Sequence, residues 1–242
     1  MSKLRLVAEF GSCHNNKLER IKEAIDRCKK AKIDALKLQL FPNEAPYVGT
    51  GNVWLDPKIF KEAFKYAKKK KFKLTASVFD FNSYCFLQNL EPAFIKFSYG
   101  KKHEEGLIKE TLAMGREAIV SCDVMTDHLV PDNATKLYCI PEYPVRYEVA
   151  FDGLFNTYDV SEVAKQFPPN QPLQVTTKRG RFDGFSDHTM GMRQTARAVC
   201  AGAKIIEKHV RLGYEDETCP DAFFAVTIEE FAAVRGVSNG HA

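Results

Sequence analysis

The sequence predicts a single α/β domain with the architecture of a (β/α)8 barrel, or TIM barrel. Short apolar stretches, many of them rich in β-branched or aromatic residues, occur eight times along the chain, and amphipathic stretches separate most of them. Strands that alternate with helices pair in parallel through right-handed crossovers. The 242 residues come close to the roughly 250 that a typical barrel of this kind needs. An open, doubly wound sheet is the alternative architecture.

Each predicted strand is a run of four to eight residues, the length of a buried strand in a parallel sheet. In chain order the predicted strands are Leu4–Phe10, Ala35–Leu40, Phe72–Phe79, Phe94–Ser98, Ala118–Cys122, Lys136–Ile140, Phe182–Ser186 and Lys204–Glu207.

The predicted helices place their apolar residues on one stripe, as Ile21, Ala24, Ile25 and Cys28 do in the first of them. Two segments that contain Pro or Gly, Pro42–Trp54 and Pro169–Gly184, are predicted to be loops or hairpins. The predicted helices are Lys17–Ala31, Pro57–Lys70, Glu105–Met114, Val160–Phe167, Gly191–Ala201 and Ile228–Arg235.

Composition excludes several classes of protein. The formal charge of +4 comes from 35 basic and 31 acidic residues, which is too balanced to indicate a nucleic-acid partner. No apolar run is long enough for a membrane span, and the start of the chain lacks the apolar segment of a secretory signal. Seven scattered cysteines without a C-x-x-C pair favour a cytoplasmic protein. We expect residues 1–242 to form one domain, with a fraying polar tail at 238–242.

Polar side chains lie near the ends of most predicted strands, where a barrel gathers them at one mouth. Residues two apart on a strand point the same way, and this spacing predicts the inward pairs Val7 and Glu9, Lys37 and Gln39, Ser77 and Phe79, Lys96 and Ser98, Ser186 and His188, and Glu207 and His209.

His188 and His209 end neighbouring predicted strands, so both imidazoles could bind one zinc, iron or manganese ion. Two alternatives remain open at this point. The polar groups could satisfy one another in a polar plug of the barrel, and a histidine at a strand end is often a hydrogen-bonded core residue.

Several motifs resemble those of the sialic acid synthase family, whose members condense phosphoenolpyruvate with an N-acetylated amino sugar. The resemblance covers nearly the whole chain. It is carried by "AEFGSCHNN" (Ala8–Asn16), "ALKLQLF" (Ala35–Phe41), "SVFD" (Ser77–Asp80), "FIKFS" (Phe94–Ser98), "EYP" (Glu142–Pro144), "GFSDHTMG" (Gly184–Gly191), "IIEKH" (Ile205–His209) and "CPDAFFAVTIEEF" (Cys219–Phe231).

The resemblance implies a TIM barrel enzyme that uses a divalent metal ion, Mn2+ above all, bound by His188 and His209. It implies catalytic roles for Glu9, Lys37, Lys96, Tyr143 and Asp221, in which the lysines hold the anionic groups of phosphoenolpyruvate. It also implies small-molecule substrates only and a homodimer. The substrate-binding residues that it implies are Gln39, Ser77, Phe79, Ser98, Ser121 and Ser186.

The chain departs from the family pattern at the expected phosphate and sugar positions. Tyr99 and Lys101 follow Ser98 where the family has S-G-E, Asp123 stands in the fifth strand's S-T-G-M turn, and Pro141 replaces an asparagine.

The resemblance covers the family's barrel domain, and we expect the chain to lack the family's C-terminal antifreeze-like domain, which supplies an arginine to the partner's sugar site. Arg179 or Arg181 could substitute for that arginine. A metal-dependent barrel enzyme for another carbonyl or phosphate compound, and a non-catalytic barrel, therefore remain alternatives.

Overall fold

A closed barrel of eight parallel strands forms the centre of the protein. The computed structural model describes residues 4–41, 53–151, 154–155, 181–213 and 219–236. Each strand pairs with the next, and pairing of the first with the eighth, from Arg5 opposite Ile205 to Glu9 opposite His209, closes the ring. The strands are β1 (Arg5–Glu9), β2 (Ala35–Leu40), β3 (Lys73–Val78), β4 (Phe94–Phe97), β5 (Glu117–Cys122), β6 (Thr135–Cys139), β7 (Gly184–Asp187) and β8 (Ile205–Arg211). The (β/α)8 prediction is thus confirmed, and the open sheet is excluded.

Helices pack on the outside of the barrel through apolar stripes. In the first of them, Ile21, Ala24, Ile25 and Cys28 are the buried residues, as the periodicity predicts. None of the helices within the described residues has the length and apolar character needed to cross a bilayer. The helices are α1 (Leu18–Lys30), α2 (Pro57–Lys69), α3 (Phe81–Gln88), α4 (Glu105–Ala113), α5 (Arg193–Cys200) and α6 (Ile228–Ala233).

The structure differs from the sequence prediction in two elements. Helix α3 was not predicted; it begins at a capping box in which Asp80 and Ser83 bond each other's backbone N–H groups. Strand β8 runs four residues beyond the predicted end at Glu207, because it pairs with β1 and then with a two-residue strand, β9 (Val226–Thr227). The predicted helix at 160–167, the polar tail and nearly all of the two predicted loops lie outside the described residues.

Apolar side chains fill the lower part of the barrel and leave the upper part to polar ones. Val7, Ala35, Phe94, Ile119, Leu137 and Ile205 form a buried cluster inside the ring, separate from the larger core between strands and helices. The residue two positions after Val7, Ala35 and Phe94 is Glu9, Lys37 and Lys96, respectively. Strand alternation therefore places a charged layer directly above an apolar floor.

Candidate active site

A cavity of about 660 Å3 opens at the C-terminal mouth of the barrel. That face carries the active site in essentially every characterised enzyme of this architecture. All the catalytic, substrate-binding and metal-binding residues that the family resemblance implies line this cavity. These residues are Glu9, Lys37, Gln39, Ser77, Phe79, Lys96, Ser98, Ser121, Tyr143, Ser186, His188, His209 and Asp221.

Glu9, His188 and His209 form a compact set of metal-binding groups. Their ligand atoms lie within 4.8 Å of one another, and all three side chains are buried. The two imidazole ring centres are 5.7 Å apart, close to the separation that neighbouring strands predict. Two nitrogen ligands and one carboxylate oxygen suit a divalent transition ion better than calcium or magnesium.

The hydrogen bonds of His188 fix which of its ring nitrogens can bind a metal ion. Nδ1 lies 3.0 Å from the carbonyl oxygen of Ile140, and because a carbonyl only accepts, Nδ1 carries the proton. Nε2 therefore has the free lone pair. Burial, together with the charge of His209, lowers the pKa of His188 to about 4, so the ring is neutral and able to act as a ligand near pH 7.

Asp221 lies behind His209 and is held by the loop after β1. Its Oδ2 accepts from the backbone N–H of Ser12 at 2.5 Å, and its Oδ1 is 3.8 Å from Nδ1 of His209. That nitrogen is buried and has no hydrogen-bond partner among the described residues. If Nε2 of His209, 3.2 Å from Glu9, faces a metal ion, Nδ1 carries the proton and Asp221 is the acceptor beside it.

Gly11 allows this close approach of the two loops. Its φ of +48° lies in the left-handed region, and a Cβ there would stand 2.2 Å from Oδ2 of Asp221 and 3.1 Å from Nδ1 of His209. A side chain would displace Asp221 from its position.

Two lysines and two glutamates make a buried ionic network that shares Glu9 with the metal-binding set. Nζ of Lys37 lies 3.0 Å from both Glu9 and Glu207, whereas Nζ of Lys96 lies 3.3 Å from Glu207 alone and donates to Ser121 at 2.7 Å. Burial acts to lower the pKa of Lys37, but the charges of Glu207 and Glu9 outweigh it and raise the pKa. For Lys96, burial and the charge of Lys37 prevail and lower the pKa. Lys96 thus has less neighbouring negative charge to balance its own positive charge than Lys37 has.

Glu207 is a site residue to which the sequence analysis gave no role. It accepts from both lysines and, at 2.8 Å, from the hydroxyl of Ser186. Burial raises its pKa, but the charges of Lys37 and Lys96 outweigh burial, so the carboxylate is ionised. The inward spacing of Glu207 and His209 on β8 was the sequence signal for this position.

Aromatic rings form the wall next to the histidines. The ring of Tyr143 lies 4.1 Å from that of His188, and Phe224 packs 4.8 Å from His209. On the opposite side Phe41 stacks on Phe79 at 3.8 Å. The sequence analysis missed Phe41 and Phe224, because both lie in segments where strand alternation predicts no direction.

The departures from the family pattern have different structural consequences. Tyr99, Lys101 and Pro141 line the cavity. Asp123 does not belong to the lining; it accepts from the hydroxyl of Tyr99 at 2.6 Å and from its own turn at Thr126. Hydrogen bonds therefore keep the carboxylate of Asp123, which was expected at the phosphate position, beside the cavity.

The structure does not support Arg181 as a substitute for the arginine that the family's C-terminal domain supplies. Arg181 pairs with Asp127 and donates to the carbonyl oxygen of Val124 at 2.6 Å. It is not among the residues of the cavity lining, and Arg179 lies outside the described residues.

An ion pair on the outer face of the barrel wall stands directly next to both histidines. Nζ of Lys208 lies 3.0 Å from Asp187 and donates to the carbonyl oxygen of Thr189 at 2.8 Å, and the side chains of the pair are 1% and 0% exposed. Asp187 also accepts from Thr189 and Thr195. Since Asp187 precedes His188 and Lys208 precedes His209, the pair links the two strands that carry the imidazoles.

Comparison with known proteins identifies relatives across the chain. A pseudaminic acid synthase from Campylobacter jejuni subsp. jejuni is 23% identical over 265 residues, covering 96% of this chain and 72% of the relative. An N,N'-diacetyllegionaminic acid synthase from the same organism is 26% identical over 247 residues, covering 88% and 69%.

Solved structures share the fold. The crystal structure of an N-acetylneuraminic acid (sialic acid) synthetase from Leptospira borgpetersenii has a TM-score of 0.75 and 20% identity to this protein, covering 98% of this chain and 83% of that one. The model of the NeuB family matches residues 47–239. Because this match spans most of the chain, from the segment between β2 and α2 to beyond the last helix, the chain belongs to the NeuB family.

Proposed function

We propose that the protein condenses phosphoenolpyruvate with an aldose-like acceptor, such as an N-acetylated amino sugar, to give a nonulosonic-acid-type 2-keto acid. One observation carries the proposal: a single cavity holds the set Glu9, His188 and His209 beside the buried lysines Lys37 and Lys96. The names of the relatives, pseudaminic and diacetyllegionaminic acid synthases, support the same reaction class.

We propose that the cofactor is a divalent metal ion, Mn2+, bound by Glu9, His188 and His209. The proton of His188 on Nδ1 and the buried Nδ1 of His209 next to Asp221 support this ligand set. When bound, the ion would act as a Lewis acid that polarises the aldehyde of the open-chain acceptor.

The lysine side of the cavity is suited to the carboxylate and phosphate of phosphoenolpyruvate. Lys96 shares Glu207 with Lys37, so an anionic ligand next to Lys96 would supply the charge that the protein itself does not provide. The hydroxyls of Ser121 and Ser186 already bond Lys96 and Glu207, respectively, and keep these groups in place. Charged donors fixed in a buried site bind such anions without reorganisation.

In the proposed reaction, C3 of phosphoenolpyruvate forms the new carbon–carbon bond to the acceptor's aldehyde carbon. Water then adds to C2, and the bond from C2 to the phosphate oxygen breaks to leave a keto group and inorganic phosphate. Burial raises the pKa of Glu9, but the charges of His209 and Lys37 outweigh it and hold the pKa well below its usual range. Glu9 is therefore ionised, so its carboxylate is suited to binding the metal ion and to orienting the water beside it.

The remaining predicted residues would position the substrates. Gln39 donates to Glu9 at 2.8 Å and fixes the carboxylate. The buried hydroxyl of Ser77 has no hydrogen-bond partner among the described residues, which makes it available to a substrate. Tyr143 and Asp221 lie on the histidine side, where the acceptor would bind, and Phe79 and Ser98 complete the cavity wall.

A second candidate is a metal-dependent enzyme acting on a different carbonyl or phosphate compound. The contact between Tyr99 and Asp123 favours it, because a bulky ring lies where the family has a small residue. A narrower phosphate position would select a different anion at the lysine side.

Phosphate release by the Mn2+-loaded protein tests the proposal. Phosphoenolpyruvate is supplied with N-acetylated and plain aldoses, and the His188→Ala variant is compared with His103→Ala, a histidine change at an exposed loop position. Release that depends on the acceptor, survives in His103→Ala and disappears in His188→Ala is the expected result. If no acceptor gives release although the ion and phosphoenolpyruvate both bind, the second candidate replaces the first.

The setting of the enzyme is also a proposal. We propose that it works in the cytoplasm as a homodimer, without nucleic-acid or membrane partners. Light scattering on the purified protein measures the oligomeric state, and a monomer at micromolar concentration would refute the dimer.

A further inference from the structure

Two cysteines that the proposed reaction does not use meet behind the active site. Cys13 lies in the loop after β1, and Cys219 lies in the segment before β9; 206 positions separate them in the chain. Their sulfur atoms are 2.8 Å apart, and both residues are buried. This is closer than two unbonded sulfurs normally approach and only about 0.8 Å longer than a disulfide bond.

The surroundings favour reaction at Cys219. Ser12 places its hydroxyl 3.7 Å from this sulfur. The contact with Cys13 lowers the pKa of the Cys219 thiol, although burial opposes the shift. A larger thiolate fraction makes a cysteine the better nucleophile towards oxidants.

We infer that Cys13 and Cys219 are a redox-active pair that a peroxide converts reversibly into a disulfide. The Cys219 thiolate attacks one oxygen of hydrogen peroxide, which gives a sulfenic acid and, after protonation, one water. Cys13 then attacks the sulfenic sulfur, and the second oxygen leaves as water while the S–S bond forms. The two thiols lose two electrons in all, which reduce the peroxide.

The bond would fix the loop that carries Asp221. This loop already contacts the loop after β1 through Asp221, which accepts from the N–H of Ser12 and donates its own N–H to the hydroxyl of Ser12 at 3.2 Å. Cys219 is two residues before Asp221 and Cys13 follows Ser12, so the bond would tie the same two segments covalently. The oxidised protein would hold Asp221 beside His209 more firmly than the reduced protein does.

Mass spectrometry of the whole, metal-free protein tests the inference without any assay of activity. Reduced protein is treated with hydrogen peroxide, unfolded and alkylated with N-ethylmaleimide. We expect five of the seven cysteines to be alkylated, a peptide that links Cys13 to Cys219, and full alkylation after dithiothreitol. The unfolding temperature should rise by about 5 °C or more on oxidation, because the bond closes a very long loop.

Single substitutions provide the controls. Cys219→Ser and Cys13→Ser should lose both the linked peptide and the temperature rise, whereas Cys28→Ser, which changes a buried cysteine of α1, should keep both. Alkylation of all seven cysteines in peroxide-treated wild-type protein would overturn the inference. Oxidation of Cys219 to a sulfinic acid without a link to Cys13, or a link through the exposed Cys200, would overturn it as well.

Discussion

Replacement of Lys208 by methionine should destabilise the protein far more than a surface lysine would. Lys208→Met keeps the length of the side chain but leaves the carboxylate of Asp187, which is 0% exposed, without its cation. Removal of one partner from a buried ion pair costs about 3–5 kcal/mol. Asp187 would retain its bonds from Thr189 and Thr195, so we expect a loss near 3 kcal/mol, at the lower end of this range.

A double-mutant cycle separates the pair from the rest of the wall. Asp187→Asn leaves the ammonium of Lys208 buried with neutral partners and should also cost about 3 kcal/mol. In the double variant no charge remains, so we expect a loss of only about 2 kcal/mol and a coupling of several kcal/mol. Urea unfolding in the presence of a chelator measures the four corners. Lys65→Met, which breaks an exposed pair with Glu62, is the matched control and should change stability by less than about 1 kcal/mol.

The same variants should also bind metal ions more weakly. Lys208 and Asp187 hold the strands immediately before the two imidazoles but bond neither ring, so we expect their loss to reduce metal affinity by less than the roughly 10–100-fold that follows loss of a group bonded to a ligand. Calorimetric titration of the folded variants with Mn2+ measures this loss of affinity. A loss of stability below about 1 kcal/mol for Lys208→Met would refute the predicted role of the ion pair. A double variant whose loss equals the sum of the two single losses would refute it as well.

Three further substitutions test other parts of the site. Gly11→Ala should lower the free energy of unfolding by about 1–3 kcal/mol, because the residue has a positive φ. The added Cβ should also displace Asp221 and weaken Mn2+ binding. Urea unfolding and Mn2+ titration measure the two effects, and an unchanged Mn2+ affinity would contradict the predicted displacement of Asp221. Glu207→Gln removes the anion between two buried lysines, and we expect a loss of about 3 kcal/mol in urea unfolding; a neutral result would mean that the lysines are compensated otherwise. Burial lowers the pKa of His14 to about 4 from its ordinary 6.5, so the unfolded chain binds more protons between these values. In the metal-free protein His14 should therefore contribute a loss of about 3 kcal/mol of stability as the pH drops from 6.5 to 4, in addition to a similar loss from His188. His14→Asn should remove that part of the loss, and an unchanged pH dependence would exclude His14 as its source.

Strand alternation made most of the site predictable from the sequence. In a closed barrel a strand side chain points either to the interior or to the helices. Because Glu9 and Val7 are two positions apart on one strand, both point to the interior. Lys37 on β2, Lys96 on β4 and Glu207 on β8 followed from the same spacing, and all three line the cavity. The histidines followed from parallel pairing, because neighbouring strands end at the same edge.

Other features depend on contacts that the local sequence does not contain. Helix α3 has little amphipathic character, and its capping box at Asp80 and Ser83 was the signal that was overlooked. The direction of Asp123 is decided by the turn that ends at Thr126, beyond the reach of strand alternation. The contact between Cys13 and Cys219 needs the whole barrel to close.

The polar plug that composition allowed is partly present, and its limits favour a functional site. Lys37, Glu9 and Glu207 satisfy one another at 3.0 Å, as a structural network would. Lys96 is left with less negative charge, and the buried hydroxyl of Ser77 has no hydrogen-bond partner among the described residues. A network that served stability alone would not leave such groups facing a cavity of about 660 Å3.

The two imidazoles are held by different means. His209 lies inside β8, where its backbone is in register with Glu9 of β1, so the sheet itself fixes one ligand relative to another. His188 follows the last residue of β7 and lies beyond the ladder that pairs β7 with β8. Its carbonyl accepts from the N–H of Val145 at 3.0 Å, and Lys208 donates to the carbonyl oxygen of the next residue. The position of His188 thus depends on loop contacts and one buried side chain, and substitutions among these should move His188 more readily than substitutions within β1 move His209.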